Sequence, residues 1–418
     1  MLQNHSSIAL SDPGLLTQCR CCLSEDLFCF LPLGLHAPAN MFIRPEEASE
    51  PHPAFPLDAQ VCLSCGLVQV ADQIPAGFFE HYLYVPSGAS TMHTHFKGLA
   101  EALEARAKGG LIVDVGCNDG LMLAAANAQG SKTLGIDPAA NIAELSRERG
   151  VEVVVDYFTP ETAARLAKER GKAAVISTTN TFNHIGDLHD FMRAVDVLLE
   201  PEGTFVIEVP WGLEILEGNQ FDNIYHEHVS ELSLLSVRKL VQHFDMDIVD
   251  VEHMPVHGGT MRVYVRRTAC GEAPSARVVF MLEREDAAGM TDRATWIAFA
   301  DRVHDIRERL LAALDLIKSE GLKVAGYGAP AKGNTLLTYF GIGPDRVDFL
   351  VDRNPLKQNM LAPNTGIPVK SPEAIKTEKP DVLLVLAWNF LDEILEQQAD
   401  FAAAGGRFLV PLPDVRMI

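Results

Sequence analysis

The chain has 418 residues, 47% of them apolar, and its charged side chains sum to a formal net charge of −21. At roughly 150 residues per domain, this length predicts two or three domains. A chain this acidic repels phosphate, so its charge argues against nucleic acid and anionic membrane surfaces as partners.

The N-terminal residues contain neither a basic region nor an apolar stretch of the kind that forms a secretory signal. No apolar run reaches the roughly 18 residues that a membrane-spanning helix needs. We therefore expect a cytoplasmic protein with reduced thiols. Clustered cysteines in such a protein indicate metal binding or catalysis rather than disulfide bonds.

Two Cys-x-x-Cys pairs lie near the N-terminus, Cys19 with Cys22 and Cys62 with Cys65. This spacing lets two thiolates face one ion, and two such knuckles complete a tetrahedral four-sulfur site, usually for zinc. No ligand position is left open for a substrate, so a zinc ion here is expected to be structural. Buried free cysteines are the alternative, and Cys21 leaves open which residue of the first knuckle is the ligand.

The texture of the sequence changes twice and predicts three domains. Residues 1–80 are rich in Pro and Cys and are interpreted as a zinc-binding module. In residues 81–268 short apolar runs alternate with helical stretches, which predicts a parallel sheet closed by an antiparallel pair. Residues 269–418 begin with a long charged helix and repeat the α/β pattern. The predicted strands of the two α/β domains are 111–116, 132–137, 152–156, 173–178, 204–209, 323–328, 347–352, 381–388 and 407–412.

A glycine-rich loop follows the first predicted strand and opens a helix. Gly116 lets the backbone approach a ligand, and an acid at the end of the next strand, Asp137, can accept ribose hydroxyls. This pattern favours S-adenosylmethionine (SAM) over NAD, because NAD sites usually carry G-x-G-x-x-G. An ordinary strand-to-helix turn without a ligand is the alternative. The predicted cofactor contacts are Asp114, Gly116, Asn118, Gly120, Asp137, Pro138, Asp156 and Tyr157.

The segment 221–232 concentrates ionisable side chains after the fifth predicted strand, among them Tyr225 and His228. Asn180 and His184 follow the fourth strand, so they lie at the same edge of the predicted sheet. Histidine accepts protons at neutral pH, and tyrosine can donate to an oxyanion. The set predicts proton abstraction next to a carbonyl group, with a solvated loop as the alternative.

A second glycine loop, in 323–337, again connects a strand to a helix. Donors at a helix start suit an anion, so this loop predicts a nucleotide or nucleoside-diphosphate site. Asp352 ends the next strand and indicates a ribose contact. A domain that has lost its ligand is the alternative. The substrate contacts predicted from this loop are Lys332, Gly333, Asn334 and Thr335.

Together these motifs resemble the sugar C-methyltransferases of deoxysugar biosynthesis, which act on nucleotide-linked 4-keto-6-deoxyhexoses. The resemblance covers nearly the whole chain, including both Cys-x-x-Cys pairs, VDVGCNDG, YHEH, HGGTMRVYV and GYGAPAKGNTLL. It implies a zinc-binding module, a class I SAM-methyltransferase domain of Rossmann-like fold and a Rossmann-like C-terminal domain. It also implies that the sugar nucleotide, with TDP as the usual carrier, lies between the last two.

The resemblance implies roles for individual residues. His228 matches the base of the family, and Tyr225 and Glu227 match other members of its motif. His184 and Asn180 match further substrate-side positions, and Asn180 is a predicted substrate contact. A tyrosine after the zinc module also enters the family's site, and Tyr84 is our candidate there. The implied reaction removes the C-3 hydrogen beside the C-4 ketone, after which C-3 attacks the methyl group of SAM.

Other functions remain open from the sequence. An NAD-dependent sugar-nucleotide oxidoreductase predicts an absorbance change of the nicotinamide, and a sugar O-methyltransferase predicts a different methylated atom. A nucleic-acid methyltransferase predicts a basic surface, and a non-catalytic scaffold predicts no SAM binding. We expect a monomeric enzyme with SAM and structural Zn²⁺ as its cofactors and a nucleotide sugar as its substrate.

Overall fold

The computed structural model describes residues 16–71, 87, 90–256 and 258–418. Within this part of the chain the strands form three sheets of four, seven and six strands. This arrangement confirms the predicted α/β class. None of the described helices is long and apolar enough to cross a membrane.

The first sheet belongs mainly to the N-terminal module. Strands β1 (Leu27–His36), β2 (Phe55–Cys62) and β3 (Val68–Val70) are antiparallel neighbours. The fourth strand, β9 (Ser230–Glu231), pairs with β3 and comes from the segment with the predicted catalytic motif. The N-terminal module is therefore joined to that motif by backbone hydrogen bonds.

The second sheet has the order β10-β11-β8-β7-β4-β5-β6. Strands β4 to β8 run parallel, and β11 is antiparallel to both β8 and β10. The predicted parallel sheet and its closing antiparallel pair are thus confirmed. The strands are β4 (Leu111–Val115), β5 (Lys132–Ile136), β6 (Val153–Val154), β7 (Ala173–Thr179), β8 (Leu199–Pro210), β10 (Met246–Met254) and β11 (Thr260–Arg267).

Helices cover both faces of this sheet. In α5 the Asp187 carboxylate caps the first turn by accepting a hydrogen bond from the Asp190 amide at 2.8 Å. Its apolar residues recur every three or four positions and are buried against the sheet. The helices are α1 (Ser90–Ala107), α2 (Leu121–Ala128), α3 (Ala140–Glu148), α4 (Pro160–Arg170), α5 (Leu188–Leu198), α6 (Gly212–Glu217) and α7 (Leu234–Gln242).

The third sheet has the order β14-β13-β12-β15-β16-β17, and all of its pairs are parallel except the last. Its strands are β12 (Val324–Tyr327), β13 (Phe349–Val351), β14 (Val369–Lys370), β15 (Val382–Val385), β16 (Arg407–Val410) and β17 (Arg416–Met417). The remaining helices are α8 (Ala276–Ala287), α9 (Arg293–Ser319), α10 (Ala331–Phe340), α11 (Ala374–Glu378), α12 (Leu391–Gln397) and α13 (Ala399–Ala403).

Aromatic contacts join the three parts of the molecule. On α9, Trp296 packs against Phe30 of β1, with ring centroids 4.7 Å apart. Phe221, just before the predicted catalytic motif, stacks on Phe340 of α10 at 5.0 Å. The first contact joins α9 to the N-terminal module, and the second joins the end of α10 to the segment before the predicted catalytic motif.

Candidate active site

The four predicted cysteine ligands form one cluster. Their sulfur atoms all lie within 4.8 Å of one another, and the Cys19–Cys65 and Cys22–Cys62 pairs are each 3.5 Å apart. Zinc–sulfur bonds of about 2.3 Å place tetrahedral ligands roughly 3.8 Å apart, so the cluster fits zinc. Cys21 is buried outside the cluster, which assigns Cys22 to the first knuckle.

The loop after β4 is shaped by glycines in the left-handed region. Gly116 has φ +75°, and a Cβ there would lie 2.1 Å from Thr181 Oγ1. Gly120 has φ +72°, and its Cβ would lie 2.8 Å from Ser146 Oγ. No larger residue fits at Gly116 without moving the chain. The loop therefore keeps its backbone close to the end of the sheet, as a cofactor site requires.

Asp137 holds this loop at the end of β5. Its carboxylate accepts hydrogen bonds from the amides of Asn118, in the loop after β4, and of Ala139, both at 2.9 Å, and Pro138 lies between Asp137 and Ala139. Burial raises the pKa of Asp137, and the two amides oppose that shift. A carboxylate retains further lone pairs when it accepts two hydrogen bonds, so ribose hydroxyls can still bind here.

Three other predicted cofactor contacts have different surroundings. Asp114 is buried in the sheet, accepts a 2.7 Å hydrogen bond from Ser177 Oγ, and has its pKa raised to about 7 by burial. Asp156 lies beyond the end of β6 and forms a 3.0 Å ion pair with Arg165. The neighbouring Tyr157 ring is 45% exposed at the same edge. Their roles toward SAM stay predictions.

Tyr225 and His228 are brought together by the loop that precedes β9. The Tyr225 hydroxyl lies 2.6 Å from His228 Nε2, and the other ring nitrogen, Nδ1, lies 3.2 Å from Glu231 Oε1. The His184 ring packs edge-on against His228, with centroids 4.9 Å apart. The side chains of His228 and Glu231 are only 13% and 1% exposed. The loop thus forms a buried Tyr–His–Glu array.

Burial opposes charge on both ionisable members of the His228–Glu231 pair. It lowers the pKa of His228 to about 3, with a further decrease from Lys332. It raises the pKa of Glu231 well above its ordinary value, against the effect of Lys332. A neutral imidazole is the form that can accept a proton. A positive charge on the ring favours the ionised form of the nearby Glu231 carboxyl group, and the resulting carboxylate compensates that charge.

Lys332 lies near the start of α10, which packs on residues 221–231. We call these residues the catalytic loop, after the predicted catalytic residues that they contain. Its ammonium group stands over the Trp388 ring, 4.1 Å from the centroid, and Trp388 Nε1 donates a 2.8 Å hydrogen bond to Asp222. Burial lowers the pKa of Lys332 to about 8, although Asp222 and Glu231 both favour its charged form. A positive charge is thus placed beside the Tyr–His–Glu array.

The middle residues of the YHEH motif contact the N-terminal module. His226 Nε2 lies 2.9 Å from the carbonyl oxygen of Pro56 in β2. Glu227 accepts hydrogen bonds from Asn40 Nδ2 at 2.8 and 2.9 Å. Burial raises the pKa of Glu227 to about 7, and Lys357 opposes the shift. Glu227 is therefore positioned by Asn40 of the N-terminal module, whereas the His228 ring contacts Tyr225 and Glu231.

The other predicted substrate contacts are engaged within the protein. Asn334 Nδ2 donates to the Ala39 carbonyl at 2.8 Å, and Thr335 Oγ1 donates to Ala331 within α10 at 3.3 Å. Gly333 packs closely, since a Cβ there would lie 3.0 Å from Leu386 Cβ. Asn334 and Gly333 fix α10 against its neighbours, and Thr335 bonds within the helix. Among the α10 residues predicted to bind substrate, Lys332 is the one that carries a charge.

Asn180 directly follows β7 and has φ +50°. Its backbone amide donates a 2.8 Å hydrogen bond to the backbone carbonyl of Glu208. The Glu208 carboxylate bonds to His95 Nε2 at 2.5 Å and accepts from Arg262 Nε at 2.6 Å. This buried cluster fixes the backbone at which Asn180 leaves the sheet. Tyr84, the remaining predicted catalytic residue, lies outside the described residues.

Three family models match successive parts of the chain: a putative zinc binding domain over residues 19–78, a methyltransferase domain over 90–251 and a C-methyltransferase C-terminal domain over 255–413. The C-methyltransferase NovU of Streptomyces niveus is 35% identical over 96% of this chain and 97% of its own length. This chain belongs to that C-methyltransferase family. It is a SAM-dependent C-methyltransferase with an N-terminal zinc-binding domain.

Other matches cover less of the C-methyltransferase. A ubiquinone biosynthesis O-methyltransferase from Bartonella tribocorum is 26% identical over 25% of this chain and 45% of its own. Among solved structures, the PH0226 protein of Pyrococcus horikoshii matches 44% of this chain and 94% of its own at 16% identity, with a TM-score of 0.36.

The sequence did not identify three residues that the structure adds to the candidate site. Glu231 lies three positions after His228, and that spacing was the available signal. Asp222 and Trp388 meet only because the C-terminal domain packs on the catalytic loop. Nothing in the local sequence of either residue indicates that contact.

Proposed function

We propose that this C-methyltransferase adds a methyl group to C-3 of a nucleotide-linked 4-keto-6-deoxy sugar, with TDP as the carrier. The Tyr–His–Glu array of Tyr225, His228 and Glu231 beside Lys332 is the observation that carries the proposal. An array of this kind suits removal of a proton from carbon next to a ketone, where the resulting enolate needs a nearby donor.

In the proposed mechanism His228 Nε2 accepts the C-3 hydrogen, which the C-4 ketone makes acidic. A buried imidazole with a low pKa is a weak base by itself, so Glu231 at Nδ1 compensates the charge that develops on the ring. The Tyr225 hydroxyl contacts Nε2 in the free protein. We expect the substrate to replace it there, which leaves the hydroxyl to donate to the enolate oxygen together with His184.

In this proposal the cofactor lies at the carboxyl ends of β4 and β5. Gly116 and Asn118 lie in the loop that receives SAM, and Asp137, which follows β5, binds the ribose hydroxyls. When bound, SAM supplies an electrophilic methyl group without help from a metal. The protein's task is to hold the sugar and the methyl donor in near-attack geometry.

The sugar nucleotide lies between residues 81–268 and residues 269–418 in this proposal. Lys332 faces the diphosphate or the developing enolate charge, next to the start of α10. Glu227, held by Asn40, binds sugar hydroxyls. The zinc module of residues 1–80 supports this cleft and takes no part in the chemistry.

The test is the His228→Asn variant, assayed with SAM and a TDP-4-keto-6-deoxyhexose. We expect methyl transfer to fall by about 100-fold or more, because general-base catalysis is lost. Exchange of the C-3 hydrogen with D₂O in the absence of SAM should disappear as well, while binding of S-adenosylhomocysteine (SAH) is unchanged.

His243→Asn is the matched control, because this histidine is exposed on the surface. Its turnover should equal that of the wild-type enzyme. Near-normal turnover in His228→Asn would contradict the assignment of the base. A product with an oxygen-linked methyl group, or a nicotinamide absorbance change without methyl transfer, would contradict the proposed reaction.

A further inference from the structure

Arg20 links the first cysteine knuckle to the catalytic loop. It lies between the ligands Cys19 and Cys22 and is only 6% exposed. Its Nη1 atom donates hydrogen bonds to two carbonyl oxygens, that of Val70 at 2.8 Å and that of Val229 at 2.9 Å. Val229 directly follows His228, so one side chain of the knuckle contacts the backbone next to the proposed base.

The segment after His228 has further contacts with the same module. The Val70 amide donates to the Val229 carbonyl at 3.1 Å, and β3 pairs with β9, which places Val68 opposite Glu231. Farther along, Ser233 Oγ donates to the carbonyl oxygen of Cys65, a ligand of the second knuckle, at 2.9 Å. Both knuckles thus hold the segment that carries His228 and Glu231.

The buried charge of Arg20 also interacts with the zinc site. Its Nε and Nη2 atoms are buried and have no hydrogen-bond partner within the described residues. A buried guanidinium without compensation is costly. A zinc ion with four thiolate ligands carries an overall negative charge, so the occupied site compensates Arg20. The occupied site and the Arg20 hydrogen bonds therefore stabilise each other.

We propose that Arg20 is a positioning residue, through which the zinc site fixes the orientation of His228 and Glu231. This proposal rests on the proposed role of His228 as the base. Zinc then supports catalysis without contacting either reactant: it holds the knuckle, the knuckle holds Arg20, and Arg20 holds the Val229 carbonyl. The orientation of His228 relative to Glu231 follows from that chain of contacts.

The Arg20→Met variant tests the link, because methionine keeps much of the buried length and removes every donor. With zinc supplied at saturation, we expect zinc content, SAH binding and the KM for SAM to match the wild type. We expect kcat to fall at least about tenfold, since small misplacement of a catalytic group is costly. In nitrogen-15 NMR spectra, the His228 ring signals, assigned with His228→Asn, should lose the pattern of one fixed tautomer.

Leu33→Ala is the control for simple destabilisation of the module. Leu33 is a buried residue of β1 that has no part in the Arg20 contacts. This variant should lower the temperature of unfolding while the His228 ring signals and the KM for SAM stay as in the wild type. Arg20→Lys retains a charged donor and should restore part of the lost kcat.

A second measurement uses the unmodified enzyme and covers the case in which Arg20→Met loses zinc or fails to fold. Zinc is withdrawn with a chelator while the His228 ring signals and SAH binding are followed. The proposal expects the His228 signals to change while SAH still binds. Unchanged His228 signals after loss of zinc, or in a zinc-loaded Arg20→Met protein with normal kcat, would overturn it.

These readouts separate failure of this inference from failure of the proposed function. The His228 ring signals and SAH binding are measured without any sugar. If His228→Asn remained active, the proposed base would be wrong, but the Arg20 link to His228 would still appear in the spectra. If His228→Asn were inactive and the spectra of Arg20→Met unchanged, only the positioning role would be wrong.

Discussion

At the scale of single residues, the candidate site depends on how burial shifts the pKa values of a few ionisable groups. Burial shifts the pKa values of His228 and Glu231 toward their uncharged forms. The Nδ1 atom of the His228 ring lies within hydrogen-bond distance of a carboxyl oxygen of Glu231. A proton taken up at Nε2 makes a charged imidazolium in a buried place. Glu231 is the group positioned to compensate it, so the pair should act as one unit.

Glu231→Gln tests this dependence. Glutamine keeps the size and can still accept a hydrogen bond from Nδ1, but it carries no charge to stabilise the imidazolium. We expect kcat to fall by about 10- to 100-fold with little change in KM. Glu217→Gln, at an exposed ion pair with Arg284, is the control and should leave kcat unchanged. Equal kcat values for the two variants would contradict a role for Glu231.

Lys332 should impose a pH dependence on substrate capture. Burial has lowered its pKa from 10.5 to about 8, with Asp222 and Glu231 favouring the charged form, and His228 is the other titratable group that it influences. The ammonium group is charged below that pH and loses its charge as the pH rises through it. We therefore expect kcat/KM for the sugar nucleotide to fall above about pH 8.

Lys332→Arg provides the comparison for this pH profile. An arginine side chain stays protonated well above the pH range of the assay, so the fall at alkaline pH should disappear or move upward in this variant. The pH profiles of kcat/KM for both proteins give the measurement. An alkaline limb that stays in place in Lys332→Arg would assign it to another group.

At the scale of elements, the two Rossmann-like sheets use the same device at corresponding places. In each sheet, a carboxylate just after the second strand accepts a hydrogen bond from a backbone amide in the loop that follows the first strand. Asp137 accepts from Asn118 in one sheet, and Asp352 accepts from Ala329 at 2.8 Å in the other. The sequence predicted both acids as ribose contacts, and the structure adds that they hold the loops themselves.

Asp137→Asn and Asp352→Asn form a matched pair on this point. The first should weaken SAH binding by about tenfold or more, because it removes a charged acceptor from the loop and from the ribose site. The second should leave SAH binding unchanged and weaken binding of the nucleotide TDP. Isothermal titration of each variant with both ligands gives the comparison. Weaker SAH binding in both variants would mean that the two loops are not independent.

Most elements of the fold could be predicted from the sequence, because apolar runs and turn residues report local structure directly. The strands β4, β5, β7 and β12 lie within a residue or two of their predicted positions. The two-residue strand β9 could not be found in this way. It is a strand only because β3, more than 150 positions earlier, offers its hydrogen-bonding edge.

At the scale of the whole molecule, the site is completed by contacts between distant segments. Asn40 holds Glu227, Asn334 holds the Ala39 carbonyl, and Trp388 holds Asp222. Each pairs residues that local periodicity cannot connect. The sequence therefore offers the candidate residues of the site as a set of motifs, and their roles stay predictions. The partners that orient these residues come from packing of the N-terminal and C-terminal parts on the catalytic loop.

The contact between Trp388 and Asp222 allows this packing to be measured. Trp388→Phe keeps a ring near Lys332 but removes the indole donor, which leaves one Asp222 oxygen buried without its partner. We expect the free energy of unfolding to fall by roughly 1–3 kcal/mol and the KM for the sugar nucleotide to rise.

A double-mutant cycle with Asp222→Ala isolates that bond. Urea unfolding of the two single variants and the double variant should give a coupling energy of about 1 kcal/mol or more, because each single change breaks the same hydrogen bond. The KM for SAM should stay constant throughout, since the hydrogen bonds and ring contacts of Trp388 and Asp222 among the described residues do not involve the loop after β4. Additive effects on unfolding would show that the C-terminal domain is held on the catalytic loop by other contacts, such as the stacking of Phe221 on Phe340.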